Sequence, residues 1–505
     1  MADILIIGGG VSGLSAGIFS LLAGHSVTIC EKNAFAGGNL TAWERDGCRI
    51  DNCIHWLSGT NPASPTYKLW HELGVLDLPI RYGESLYTCE YDGQRLSLGN
   101  DLHRLEAELL ALSPEDEKEI RSLIEAVKAM QRLNGTAGDD RENRKGFPQS
   151  VFSLPKLYKY YRLTAGELAA RFRHPLIRRF LSSFLTEDFG SLALVFVFAD
   201  FCGRNAGIPA GGSAAMAERM AARFTSHGGK LLTGKEAVRL NTKGAKAVSV
   251  RFADGTELSA GNFIFTCDPA SVFGRIIDRP MPQQLVRLYN DPRLVRFSSW
   301  HCAFRCTSPD LPFKGDFMLP AEGELRSECS SGYVALREFS HEPDFAPPGQ
   351  SVFLAMAFLD EKRAREFIRL RSDRAAYAAK KERLTRLTEA AATKQFPELS
   401  GKLHPIDAWT PASYSRYFNA PGGSYMSFAF SSRILPRQVS GRIPGLLNVR
   451  LATQWQQAPG GLPIAAAAGK RAAEAVTRAE RLKNRLPKIG QRGRLHGQRP
   501  VPERL

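Results

Sequence analysis

The 505 residues are 43% hydrophobic and 23% charged, proportions that exclude wholesale disorder, and the length calls for two or more domains. The nine cysteines contain no C-x-x-C and no paired Cys/His spacing, which argues against a disulfide framework or a metal site. The formal charge of +16 is concentrated: residues 141–185 hold ten Lys/Arg against two Glu, residues 478–505 hold nine against two, and the rest is nearly neutral.

Residues 2–7 (ADILII) predict a buried strand, Gly8 to Gly13 a tight turn, Leu14 to Ala23 a helix and Ser26 to Cys30 a second strand, a βαβ opening. No basic stretch or small-residue cleavage site precedes that strand, so no secretion signal is expected and a cytoplasmic location is. Ser113-Pro-Glu-Asp predicts a capped helix start, with serine as cap, proline at the first helical position and a body running to about Leu133. Residues 134–148 read as a polar loop, and 151–188 as short helices rich in aromatics and arginines. The longest apolar stretch, Ser191 to Ala199, falls short of the roughly 18 residues a membrane-spanning helix needs. Further on, a helix is predicted over 213–226, then strands over 230–240, 246–252 and 257–266, with Asp254-Gly255 as a hairpin signal. Residues 285–440 mix strands with helices, including a charged helix over 361–394. Strand, glycine turn and helix return over 441–476, and a mobile basic tail is expected after 478.

Gly8-x-Gly10-x-x-Gly13 stands between a predicted strand and helix, and Glu31 ends the next strand. The first glycine permits the turn, the second lets the backbone approach a pyrophosphate, and the third lets helix and strand pack closely. The helix N-terminus faces the phosphate charge, and Glu31 can accept hydrogen bonds from the ribose. The spacing leaves FAD and NAD open. Gly37-Gly38, shortly after the acid, lets the chain pass close over a longer dinucleotide, towards a flavin. No second Gly-x-Gly-x-x-Gly follows a strand, so a separate NAD(P)H domain is not expected and electrons must come from or go to an external donor or acceptor.

From Glu31 through Gly37-Gly38-Asn39-Leu40 to Ile50-Asp51-Asn52-Cys53-Ile54-His55-Trp56, the sequence resembles the phytoene desaturase, carotenoid isomerase and retinol saturase group of flavoproteins, itself related to the amine oxidases. The likeness continues at Ile208-Pro209-Ala210-Gly211-Gly212, Gly228-Gly229, Val238, Asp254-Gly255 and Cys267-Asp268-Pro269. It closes at Leu447-Asn448-Val449, Trp455 and Pro459-Gly460-Gly461-Leu462-Pro463. The resemblance implies FAD as cofactor, with Gly8, Gly10 and Gly13 on the pyrophosphate, Glu31 on the ribose, Lys32, Gly37 and Gly38 along the cofactor, and the backbone of Val238 on the adenine. It also assigns Trp455, Gly460, Gly461 and Leu462 to the flavin, where the glycine N–H groups and the following helix would favour negative charge on the flavin's pyrimidine edge. His55-Trp56 is similar to the retinol saturase pattern, with Cys53 where those proteins usually have glycine. In that register His55 lies near the flavin and is the candidate catalytic residue, handling the proton that accompanies hydride transfer.

The expected architecture is α/β: a discontinuous Rossmann-type FAD-binding domain over 1–75, 205–285 and 440–476, resembling glutathione reductase and the amine oxidases. A mixed α+β substrate or lid domain is inserted over 76–204 and 286–439, and a basic tail covers 477–505. The resemblance implies hydride transfer between flavin and a carbon–carbon bond of a lipophilic polyene or isoprenoid substrate, as saturase or desaturase. A redox-neutral isomerase using reduced FAD is an alternative. So is an amine oxidase, although Ala452-Thr-Gln-Trp455 lacks the acidic residue common in that group, and so is a lipid-binding flavoprotein without catalysis. Residues 156–162 (KLYKYYR) and 171–180 (RFRHPLIRRF) interleave cations with aromatics, which suits docking on an anionic membrane surface at the inner membrane face. No nucleic-acid motif accompanies the charge, and nucleic acid is not an expected partner.

Overall fold

A computed structural model describes residues 3–135, 148–420, 422–430, 432–433 and 437–485. The opening strand, Asp3–Ile7, is the centre of a five-stranded parallel sheet in the order 230–232, 26–30, 3–7, 262–265, 449–451. Its alternation explains the two layers around it. Ile4 and Ile6 pack with the helices Val11–Leu22, Gly212–Ser226 and Leu462–Arg485, whereas Leu5 and Ile7 pack under an antiparallel meander through Leu240, Val250 and Phe252. The first and last of those helices touch backbone to backbone. A Cβ on Gly469 would lie 2.3 Å from the Ser12 carbonyl oxygen, and the Ser12 and Ser15 hydroxyls donate to the Ala465 and Ala466 carbonyls at 2.9 and 2.7 Å. The two ends of the chain thus close one Rossmann-type α/β layer.

Beside it stands a seven-stranded mixed sheet in the order 403–409, 298–306, 351–359, 333–338, 316–320, 85–91, 94–99. One face packs Trp300, Phe304, Leu336 and Phe353 against Leu384 and Ala392 of the helix Arg374–Gln395. Part of the other face, with Tyr87, Met318 and Ala335, meets the helices built from residues 102–202.

Several predicted elements are redrawn. The strand expected over 230–240 is two strands in two sheets, split at Gly234, and that over 257–266 is likewise split before Asn262. A period-two pattern does not reveal which sheet a strand joins. The charged helix expected over 361–394 is two, Glu361–Leu370 and Arg374–Gln395, because Asp373 caps the second by accepting from the Ala376 N–H at 3.0 Å. Ser113 does not cap a backbone amide. Its hydroxyl donates to Asp116 at 2.8 Å, and a short 3₁₀ turn precedes the helix Glu117–Leu133. The basic segment after 478 continues as helix to Arg485, where Lys483 and the Asn262 amide both meet Glu480. The rest of that tail and residues 136–147 of the expected loop lie outside the described residues. No helix among the described residues is long and apolar enough to cross a membrane.

Candidate active site

A cavity partly open to solvent runs along the carboxyl ends of the parallel strands, lined by residues within 7–12, 30–33, 266–268 and 453–455. Its floor is the turn between the strand Asp3–Ile7 and the helix Val11–Leu22. Gly8 takes a φ of 106°, open to glycine alone, and a Cβ there would sit 2.4 Å from the Thr266 hydroxyl. Gly13 does not line the cavity. Its role is packing, since a Cβ would lie 1.9 Å from the Gly8 carbonyl oxygen. Gly10 differs from both: a Cβ would meet no protein atom closer than 3.7 Å and would point into the cavity. The helix has no side-chain cap, and its first intrahelical bond is from Leu14 to Gly10, so the amides of Val11, Ser12 and Gly13 are left for an anion. An open Gly10 beneath uncapped amides fits a pyrophosphate.

Glu31 ends the second strand at the cavity wall. Its carboxylate accepts from the Gly9 N–H at 2.7 Å and the Asn33 N–H at 2.9 Å, which ties the turn to the strand and presents the acid at the ribose position. Gly37 donates to the Gly9 carbonyl at 2.8 Å, so Gly37 and Gly38 run beside the turn and line the same cavity. Val238 does not line it. The ladder register shifts around Val238, whose side chain is 36% exposed, and the cavity wall stops at Ala237.

At the other end lie Trp455, Gly461 and Leu462, but not Gly460. The expectation that both glycine amides face the flavin is corrected here: Gly460 donates to the Phe428 carbonyl at 2.9 Å and Gly461 to the Gln454 side chain at 2.8 Å. Leu462, the next residue, supplies the first amide of the helix Leu462–Arg485, and Gly461 at φ 124° leaves open space above it. Trp455 stacks on Tyr289, which donates to the buried Asp268 at the cavity edge. Burial lifts the Asp268 carboxyl to about 6.

A strap that the sequence did not reveal forms part of the cavity wall. After the helix Pro411–Phe418 the chain turns through Asn419, in the left-handed region, and Tyr417 to Ala420 line the cavity. Three side chains of the 32–39 segment hold the strap. Lys32 donates to the Arg416 carbonyl at 2.8 Å and Asn419 Oδ1 at 2.9 Å, Asn33 to the Tyr417 carbonyl at 3.1 Å, and Asn39 to the Tyr425 carbonyl at 2.8 Å. Lys32 thus lines the cavity while its ammonium binds the strap, and burial lowers its pKa.

Beyond Tyr425 a largely apolar region lies between the seven-stranded sheet and the 102–202 helices, and Cys53, His55, Trp56, Met356 and Tyr425 are half-buried in it. His55 is not in the dinucleotide cavity wall. Its ring packs against Trp56 and Phe184, with centroids 6.4 and 6.2 Å away. Burial and the nearby Arg337 charge hold its imidazole well below the usual range, so it is neutral at pH 7. A polar cluster adjoins this region. Asn52 accepts from Trp409 at 2.9 Å and Tyr414 at 3.0 Å, Tyr414 also meets His301 at 3.0 Å, and His301 stacks on Trp409. Asp51 accepts from the Ser213 amide and hydroxyl, and burial raises its pKa. Asp51 and Asn52 lie in the segment that carries the resemblance, whereas His301, Trp409 and Tyr414 come from other elements and no local spacing marks them. Among the described residues no group of three His, Cys, Asp or Glu is placed to hold a metal.

The sequence profile of the flavin containing amine oxidoreductase family matches residues 11–477. Prolycopene isomerase 1, chloroplastic, of an Oncidium hybrid cultivar is 23% identical over 84% of this chain and 75% of its own length. The lycopene-forming phytoene desaturase of Paracoccus sp. strain N81106 is 22% identical over 84% of this chain and 86% of its own. Among solved structures, an oxidoreductase from Methanosarcina mazei superposes with a TM-score of 0.61 at 14% identity, covering 94% of this chain and 100% of that one.

Proposed function

The chain belongs to the family of flavin containing amine oxidoreductases, and on that premise we propose that this FAD-dependent oxidoreductase transfers hydride to or from a carbon–carbon bond of a lipophilic polyene or isoprenoid. Bound FAD supplies the hydride donor or acceptor. The observation that carries the reading is the sharing of Tyr425, which lines the dinucleotide cavity and also packs with Phe358 and Met356 in the apolar region beside it. A hydrocarbon chain lying there ends where the dinucleotide ends. The amides of Val11 and Ser12 bind the pyrophosphate, Glu31 the ribose, and the Leu462 amide the flavin end. The aromatic walls exclude water and orient the substrate, and neutral His55 holds or passes a proton at the junction.

Redox-neutral isomerisation is the second reading, favoured by the prolycopene isomerases among the relatives. Incubating holoprotein with a panel of conjugated lipids and weighing the products tests both. A change of two hydrogens supports transfer, unchanged mass with altered geometry supports isomerisation, and released ammonia would overturn both in favour of amine oxidation.

The electron partner is a reduced carrier, a quinone, oxygen, or a dinucleotide that visits the same cavity. For an encounter with lipid-borne substrate we propose docking on the anionic inner face of a membrane, from the cytoplasm. The helix Pro148–Arg162 presents Leu154 and Tyr158, 60% and 58% exposed, with Arg162 over the Tyr158 ring.

A further inference from the structure

The strand register places one charged pair inside the substrate-facing side of the seven-stranded sheet. Reading across four strands, Ala303, Leu354, Arg337 and Asp316 stand opposite one another, and the neighbouring row is His301, Met356, Ala335 and Met318. Directly opposed residues share a face, so Arg337 lies diagonal to Met356, one of the half-buried residues of the apolar region. The guanidinium is buried, with 8% of Arg337 exposed, and is gripped from one side only. Nε donates to Asp316 Oδ1 and Nη2 to Asp316 Oδ2, each at 3.0 Å. Nη1 has no acceptor among the described residues and is not sealed off from accessible space. The other nearby carboxylate, Asp51, spends its oxygens on Ser213 and the Cys53 amide. The charge of Arg337 is nonetheless felt by Cys53, His55, Tyr414 and Tyr425, groups between the cavity and the apolar region.

We propose that Arg337 sets substrate specificity by donating through Nη1 to an oxygen of the substrate, which is therefore a polyene or isoprenoid bearing a carbonyl or carboxylate rather than a bare hydrocarbon. The inference rests on the reading of the protein as a polyene oxidoreductase and narrows its substrate class. A hydrocarbon packed beside Nη1 would leave a cationic N–H without an acceptor, whereas an oxygen gains a charge-assisted hydrogen bond from a donor already fixed by Asp316. A guanidinium held in place before reaction also stabilises negative charge on an oxygen conjugated with the reacting carbons.

The test uses holoprotein and two matched series, retinal, retinoate and anhydroretinol, then farnesal, farnesoate and farnesene, with binding read from perturbation of the flavin absorbance. Wild type is expected to bind the oxygenated member of each series at least tenfold more tightly than the hydrocarbon. Arg337→Gln is expected to lose that preference. The double variant Arg337→Met/Asp316→Leu, which leaves no unpaired buried charge, is expected to lose it while keeping FAD and hydrocarbon affinity. A wild type indifferent to the oxygen, or a preference that survives in the double variant, overturns this inference alone. Retained preference with a shifted flavin spectrum or lost FAD would assign the guanidinium to the flavin and overturn it too. Binding of none of the compounds would overturn both this inference and the reading beneath it.

Discussion

Gly10 and Gly13 are three residues apart in one turn and fail for different reasons. At Gly10 a side chain has room in the protein but occupies the space of the pyrophosphate, so Gly10→Val is expected to fold, by circular dichroism, and to purify with less than a tenth of the wild-type flavin. At Gly13 even a methyl group collides with the Gly8 carbonyl, so Gly13→Ala is expected to lose soluble protein before flavin is at issue. Asp200 gives a pH prediction. It is fully buried, accepts from Ser58, Asn134 and Asn205, and burial lifts its carboxyl from 3.8 to about 6. The folded protein then binds a proton that the unfolded chain releases, so this group's contribution to stability falls as pH rises from about 4 to about 6 and stays low above that. Asp200→Asn is expected to be the more stable protein at pH 7.5, by an amount of the order of 2 kcal/mol. Its advantage should shrink towards pH 4 in paired melting curves, and a gap independent of pH would contradict the assignment. At this scale the sequence made the glycines and Glu31 legible because their spacing is local. Arg337 was not legible, because a charged residue in an alternating strand reads as facing water.

The strap over the cavity is an element whose function depends on what holds it. Lys32 and Asn33 both reach carbonyls of the 416–419 turn, so removing the two side chains in Lys32→Met/Asn33→Ala is expected to raise the rate of FAD dissociation about tenfold. Stopped-flow exchange against a flavin analogue measures it, and an unchanged rate would mean that the strap does not gate the cofactor. The split of the charged helix is a matter of one cap: Asp373→Ala is expected to cost about 1 kcal/mol in denaturant unfolding. Turn chemistry located the hairpin at Asp254-Gly255, whereas the cap expected at Ser113 did not form, the break before Asp373 was missed and sheet membership escaped the pattern. The strands 230–232 and 237–243 look continuous in pattern, yet the first extends the parallel sheet and the second starts the meander. The strap was illegible because Tyr417 to Ala420 carry no spacing that announces a cavity, and only the fold brings them opposite Lys32.

Across the whole molecule, hydroxyl contacts between residues some 450 positions apart seat the last helix on the first and complete the dinucleotide cavity from both ends of the chain. Matching motifs at the two ends made that assembly legible, while the apolar region between sheet and helices depends on packing that no single segment encodes. Charge shows the same limit. Of the cations that suggested a membrane-docking face, Lys156, Lys159 and Arg171 pair with Glu125 or Glu119 from the helix Glu117–Leu133, which weakens the field seen in a linear count. Docking is therefore expected to depend on Leu154 and Tyr158 as much as on charge. Leu154→Ser/Tyr158→Ser should reduce co-sedimentation with vesicles containing anionic lipid at least fivefold, and equal sedimentation of variant and wild type would contradict that surface. The most direct test of the central claim, hydride exchange between the flavin and a conjugated lipid, is anaerobic reoxidation of the reduced holoprotein. Addition of an oxygenated polyene is expected to restore the oxidised flavin spectrum while the product gains two hydrogens. A flavin that stays reduced with every polyene, and that is not reduced from the oxidised state by their saturated counterparts, would contradict it.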